Sequence, residues 1–144
     1  MLEKYDGGVT DMKVLIIEDD AEVIDTVSLF LELRWPSIEI IVAQNGESLD
    51  IAKNEPLDLI IMELNLSGTD GFKLLKKIRL LSFVPVIILS KTTREDDRIM
   101  ALERGADDYI TIPFRPRNLI ARVNAVIRRA HPHYNSNNKT LVAG

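Results

Sequence analysis

The chain has 144 residues, a net charge of −4, 46% apolar side chains and no cysteine. That is enough for one domain with a full core, and the missing thiols exclude disulfides and thiolate metal sites. With no signal-like N-terminus and no apolar run of about 18 residues, a cytoplasmic protein without membrane contact is expected. The net charge argues against a nucleic-acid surface over the whole chain.

Residues 1–11 are polar and contain glycine, so they read as a loose extension. Lys13 to Ile17 is a short apolar strand, followed by Glu18-Asp19-Asp20, with Asp20 placed to cap a helix. Val23, Ile24, Val27, Phe30 and Leu31 recur at helical spacing, and Trp35-Pro36 ends that helix. Ile38 to Ala43 is a second strand, and Asn45-Gly46 turns into a helix reaching Asn54. Leu59-Ile60-Ile61-Met62 is unbroken apolar sequence, as suits a strand buried on both faces, and it ends at Glu63. A loop follows, marked by Ser67-Gly68 and closed by Asp70-Gly71. A third helix runs from about Asp70 to Leu81 with Phe72, Leu75 and Ile78 inward.

Val84 to Leu89 is a fourth strand, ending at Ser90. Thr92 and Glu95 have the spacing of a capping box for helix four, and Gly105 suits its C-terminal cap. Tyr109 to Ile112 is a fifth strand, Pro113 follows it, and Pro116 opens the last helix. Leu119, Ile120, Val123, Val126 and Ile127 give that helix its apolar stripe, and 131–144 reads as linker. Five βα units predict a parallel sheet covered by helices on both faces. Glu18, Asp19, Glu63, Ser90 and Ile112 then share the carboxyl edge of the sheet. Three carboxylates there are oxygen donors of the kind Mg²⁺ takes.

These residues resemble a response-regulator receiver domain over about 12–130. Glu18 and Asp19 match the family's metal-binding acids, with Glu63 and Asn65 completing the set; Ser90 matches its hydroxyl switch and Tyr109 its aromatic switch. The run Gly105-Ala106-Asp107-Asp108-Tyr109-Ile110-Thr111, then Pro113-Phe114, is similar to the OmpR/PhoB-type subfamily, as is Leu119-Ile120-Ala121-Arg122-Val123. The resemblance implies a flavodoxin-like (βα)5 α/β fold with strand order 2-1-3-4-5. It also implies a cis bond at Pro113, a histidine kinase or other regulator as partner, and a winged-helix domain beyond the linker that meets DNA.

Two departures sit at the centre of the implied site. The family's phosphoacceptor aspartate is Glu63, and its lysine is Ile112. Glu63 carries its carboxylate one methylene further, roughly 1.5 Å, in a reaction sensitive to shifts of about 1 Å. Two carboxylates about 5 Å apart repel by roughly 3 kcal/mol at an effective dielectric near 20. With no lysine at 112, the acids are expected to lack a fixed counter-charge, so that a metal stays or one acid takes up a proton. The expectation is weakened Mg²⁺ binding and a non-enzymatic switch that works without ordinary phosphorylation. Glu63 is then either a mimic of the phosphorylated residue or an inert relic; Ser90 caps its loop or switches; Tyr109 is core or switch.

The resemblance also implies a two-fold dimer face on helix four, strand five and helix five. Asp108 with Arg122 and Glu103 with Arg129 match intersubunit pairs, whereas Arg98 faces neutral Asn118, so a homodimer is expected to be weakened. An alternative from the same topology is a flavodoxin-like cofactor binder, which needs a phosphate loop where Glu18-Asp19-Asp20 stands. A phosphohydrolase needs a second acid two residues after its nucleophile, and Glu63-Leu64-Asn65 has none. His131 and His133 are too few for a metal site.

Overall fold

In the computed structural model, which describes residues 12–44 and 46–131, the apolar runs form strands and the periodic segments form helices. The expected N-terminal extension, the Asn45 half of the first turn, His133 and the linker lie outside the described residues. The order is β1 (Lys13–Ile17), α1 (Ala21–Arg34), β2 (Glu39–Ala43), α2 (Ser48–Asn54), β3 (Leu59–Met62), β4 (Asn65–Leu66) and β5 (Thr69–Asp70). Then come α3 (Gly71–Leu81), β6 (Val86–Ser90), α4 (Glu95–Glu103), β7 (Asp108–Thr111) and α5 (Pro116–Ala130).

Five strands make one parallel sheet in the order β2-β1-β3-β6-β7. That is the expected 2-1-3-4-5 arrangement once β4 and β5 are set aside. Side chains alternate across it. Val14, Ile16, Leu59, Ile61, Ile87, Leu89 and Ile110 pack with α1 and α5. Leu15, Ile17, Ile60, Met62, Ile88 and Tyr109 pack with α2, α3 and α4. Two faces buried at once explain why β3 reads as continuous apolar sequence rather than as an alternation.

Local chemistry sets most of the ends. Asp20 caps α1 by accepting the Glu22 N–H at 2.9 Å, and Asp70 caps α3 by accepting that of Phe72 at 2.9 Å. Gly105, at φ +112°, closes α4 while the Ala106 N–H bonds back to the Ala101 carbonyl. The Thr92–Glu95 capping box does not form. Arg94 is the cap residue, and the Thr92 hydroxyl instead donates to Asp97 at 3.1 Å. The helix starts two residues too late for the spacing to work.

The stretch after Glu63 is not the irregular loop expected from its glycines. Asn65–Leu66 and Thr69–Asp70 pair antiparallel, with Gly68 at φ +73° in the turn. Strands of two residues are too short to leave a periodic signature. Gly71 seals this hairpin against the sheet: a Cβ there would lie 2.3 Å from the Leu64 carbonyl oxygen.

Candidate functional site

Parallel register brings three strand ends together. Ile17 lies beside Met62, and Met62 beside Ile88, so the residues after β1 and β3 emerge side by side next to the end of β6. Glu18 and Glu63 follow directly and are 6% and 5% exposed. Both carboxylates turn back on their own chain. Glu18 Oε2 accepts the N–H groups of Asp19 and Asp20 at 2.9 and 3.0 Å. Glu63 Oε2 accepts those of Leu64 and Asn65 at 2.7 and 3.0 Å. Asp19 reaches across to the hairpin, where its Oδ2 accepts the Ser67 N–H at 2.7 Å.

The electrostatics follow from that crowding. Burial pushes the Glu18 carboxyl above the ordinary glutamate range; the two backbone N–H groups oppose it, and the Glu63 and Asp20 carboxylates add to it. Backbone donors thus do part of the work expected of a cation. They also occupy one of the two oxygens of each carboxylate. Mg²⁺ asks for hard oxygens converging in octahedral geometry. Here Glu18, Asp19 and Glu63 each spend one oxygen on backbone, and Asn65 is exposed on the hairpin. Among the described residues no three acid or histidine side chains converge to hold a metal. As these side chains stand, they do not fit the ion.

One cation stands near the cup, paired with Asp20 rather than with Glu18, Asp19 or Glu63. Lys91 directly follows Ser90, and its Nζ lies 3.2 Å from Asp20 Oδ2 at the rim. Its bond holds the Asp20 carboxyl below the ordinary aspartate range, with the Glu22 N–H adding to the effect. Sequence reasoning missed this lysine because its partner lies 71 residues away. Residue 112 supplies no charge. Ile112 is half-buried, packs against the α1–α5 core and donates its N–H to the Ser90 carbonyl at 2.7 Å. The Ile112–Pro113 bond is cis.

Ser90 is fully buried at the end of β6, and Tyr109 is turned inward, 3% exposed. The Tyr109 hydroxyl donates to the Thr92 carbonyl at 3.2 Å and interacts with the Ser90 side chain. Burial pushes the phenol up; the Ser90 contact opposes this, and the Asp97 and Glu63 carboxylates reinforce it. Glu63, Ser90 and Tyr109 therefore share one electrostatic neighbourhood.

On the opposite side of β7, Arg122 Nη1 donates to both oxygens of Asp108, at 2.9 and 3.1 Å, and Arg122 Nε to Asn118. Expected as an intersubunit pair, Asp108 and Arg122 close within one chain, because β7 and α5 already place them together. Arg98, Glu103 and Arg129 are exposed, as are Ile99, Met100 and Leu102 on α4. His131 lies at the far end of the sheet, 3.7 Å from buried Asp58.

The sequence pattern of the family described as "Response regulator receiver domain" matches residues 14–124. The response regulator GtcR of Aneurinibacillus migulanus is 41% identical over 118 residues, covering 81% of this chain and 48% of that protein. The transcriptional regulatory protein PrrA of Mycobacterium tuberculosis is 37% identical over 141 residues, covering 96% of this chain and 60% of that protein. The chain thus spans about half the length of the curated relatives it matches. The crystal structure of a two-component response regulator from Clostridium difficile superposes with a TM-score of 0.77 at 33% identity, covering 83% of this chain and 98% of that one. No helix among the described residues is long and apolar enough to cross a membrane.

Proposed function

This chain belongs to the response regulator receiver family, and from that premise we propose that it is an atypical receiver domain controlling dimerisation and transcriptional output without ordinary aspartyl phosphorylation. One observation carries the proposal: the carboxylate at the phosphoacceptor position is already bound by its own loop. Phosphoryl transfer to a carboxylate needs a free oxygen in line with the donor and positive charge around the transferred group. Glu63 is 5% exposed, and its Oε2 accepts two backbone N–H groups. Those N–H groups are the neutral donors that a new phosphoryl group would draw on. Ile112 offers that group nothing, and Mg²⁺ binding is weak or absent.

Glu63 acts instead as a permanent anion at the end of β3. The inward Tyr109 and its bond to Thr92 support a fixed, active-like arrangement over an inert relic. The output surface is α4, β7 and α5, which meets a second copy of this chain through Arg98, Glu103, Arg129 and the exposed apolar residues of α4. The Asp108–Arg122 pair opens and exchanges partners on association, or stays closed and weakens it. An effector domain outside these residues binds DNA, a histidine kinase or other regulator is the upstream partner, and the setting is the cytoplasm. The chain has no catalytic role of its own. A flavodoxin-like cofactor role finds no phosphate cradle, because Glu18 takes the N–H groups that follow β1.

Sedimentation velocity tests the proposal. The dimer fraction is expected to be the same with and without acetyl phosphate and Mg²⁺, and to fall in R129E. A dimer fraction that rises with the phosphoryl donor overturns it.

A further inference from the structure

The bridge between Lys91 and Asp20 joins the ends of two strands that are not neighbours. Lys91 follows β6, Asp20 lies just beyond β1, and β3 runs between them in the sheet. The two ends so joined flank the end of β3, from which Glu63 follows. Of the ion pairs among the described residues, this is the one at the carboxyl edge; those of Lys13, Arg79, Arg122 and His131 lie at the other. The backbone also aims it. Ser90 is locked in β6, and Thr92 is held through its carbonyl by Tyr109 and through its hydroxyl by Asp97. Lys91 is thus flanked on both sides by anchored residues, which lowers the entropy cost of directing its side chain.

We propose that Lys91 is the resident counter-ion of the acidic cup, strapping its mouth across β3 and taking the electrostatic place of a divalent cation, so that lysine and ion exclude each other. Four carboxylates, Glu18, Asp19, Asp20 and Glu63, crowd two adjacent strand ends. Backbone N–H groups bind all four, and Lys91 binds Asp20 as well. This explains why the acids do not converge as metal ligands: their charge is already answered. The strap deepens the phosphorylation-independent assignment, since a cup closed by a lysine presents neither an open metal position nor an open carboxylate.

Because Lys91 is exposed, replacing it does not threaten the fold. Thermal melts of the wild type, K91M and K91R are compared with and without Mg²⁺ at one concentration for all three, about 10 mM, at ionic strength matched with NaCl. The ion stabilises whatever it binds by mass action, which for about ten times Kd corresponds to a rise of about 3 °C or more. K91M is expected to show that rise, while the wild type and the charge-conserving K91R show a smaller one or none. An equal rise in wild type and K91M overturns the proposal, because the lysine then excludes nothing. No rise in K91M overturns it as well, because something other than Lys91 then keeps the ion out. No phosphoryl donor is present, so failure here is distinct from phosphorylation of Glu63.

Discussion

Glu63 Oε2 accepts the N–H of Asn65, two residues along its own loop, at 3.0 Å. With the Leu64 bond at 2.7 Å, this ties the acid to the start of the hairpin that Gly71 seals. Removing the acceptor leaves two N–H groups without their carboxylate, and that of Leu64 is buried. E63A is expected to lose about 2 kcal/mol of stability, and E63Q less, since an amide oxygen still accepts. Urea denaturation measures both; equal stability of wild type and E63A would contradict the anchoring role.

Two residues are proposed to have closed the phosphorylation route, so both must be restored to reopen it. E63D shortens the side chain, and I112K returns a cation beside the strand end. Acetyl phosphate with Mg²⁺ is expected to label the E63D/I112K double variant far more than either single variant, as read by mass spectrometry of the strand-end peptide. Full labelling of E63D alone would show that the side-chain length was the whole barrier.

Glu18 gives a pH dependence with a definite sign. Burial raises its carboxyl above the ordinary 4.5, so the folded chain binds this proton more tightly than the unfolded chain. Below 4.5 the group is protonated in both states and carries no penalty. As pH rises through the folded value, ionisation of the buried acid costs stability. E18Q removes that group, so the melting temperature of E18Q minus that of the wild type is expected to increase as pH rises upward from about 4.5. A difference that stays flat would place the Glu18 charge in a solvated setting.

Arg79 holds the other edge of the sheet. Its guanidinium donates to the carbonyls of Gly105, Ser82 and Val84 and to the Asp107 carboxylate, which also accepts the Val86 N–H. One planar fork serves the end of α3, the turn after α4 and the start of β6. A lysine ammonium cannot reach those directions together. R79K is therefore expected to lose about 2–3 kcal/mol, nearly as much as R79A. Full stability of R79K in urea would show that charge alone suffices.

Much of this was legible in order along the chain. Leu59–Met62 announced a strand buried on both faces, Asp20 and Pro116 marked helix starts, Gly105 marked a helix end, and the acids after β1 and β3 fell on one edge. Each of those signals is carried by a residue and its near neighbours. What stayed hidden depends on distance in space. Lys91 meets Asp20 across 71 residues, and Arg79 meets Gly105 across 26. Thr92 had the spacing of a cap but found Asp97 instead. The inward turn of the Glu63 carboxylate is a choice between backbone amides and open solvent that spacing does not express.

Intact-mass spectrometry of the chain after incubation with acetyl phosphate and Mg²⁺ probes the occupied carboxylate of Glu63 most directly. An unshifted mass, with the E63D/I112K variant labelled alongside, is the predicted result. A phosphoryl adduct mapped to Glu63 in the wild-type chain would contradict it.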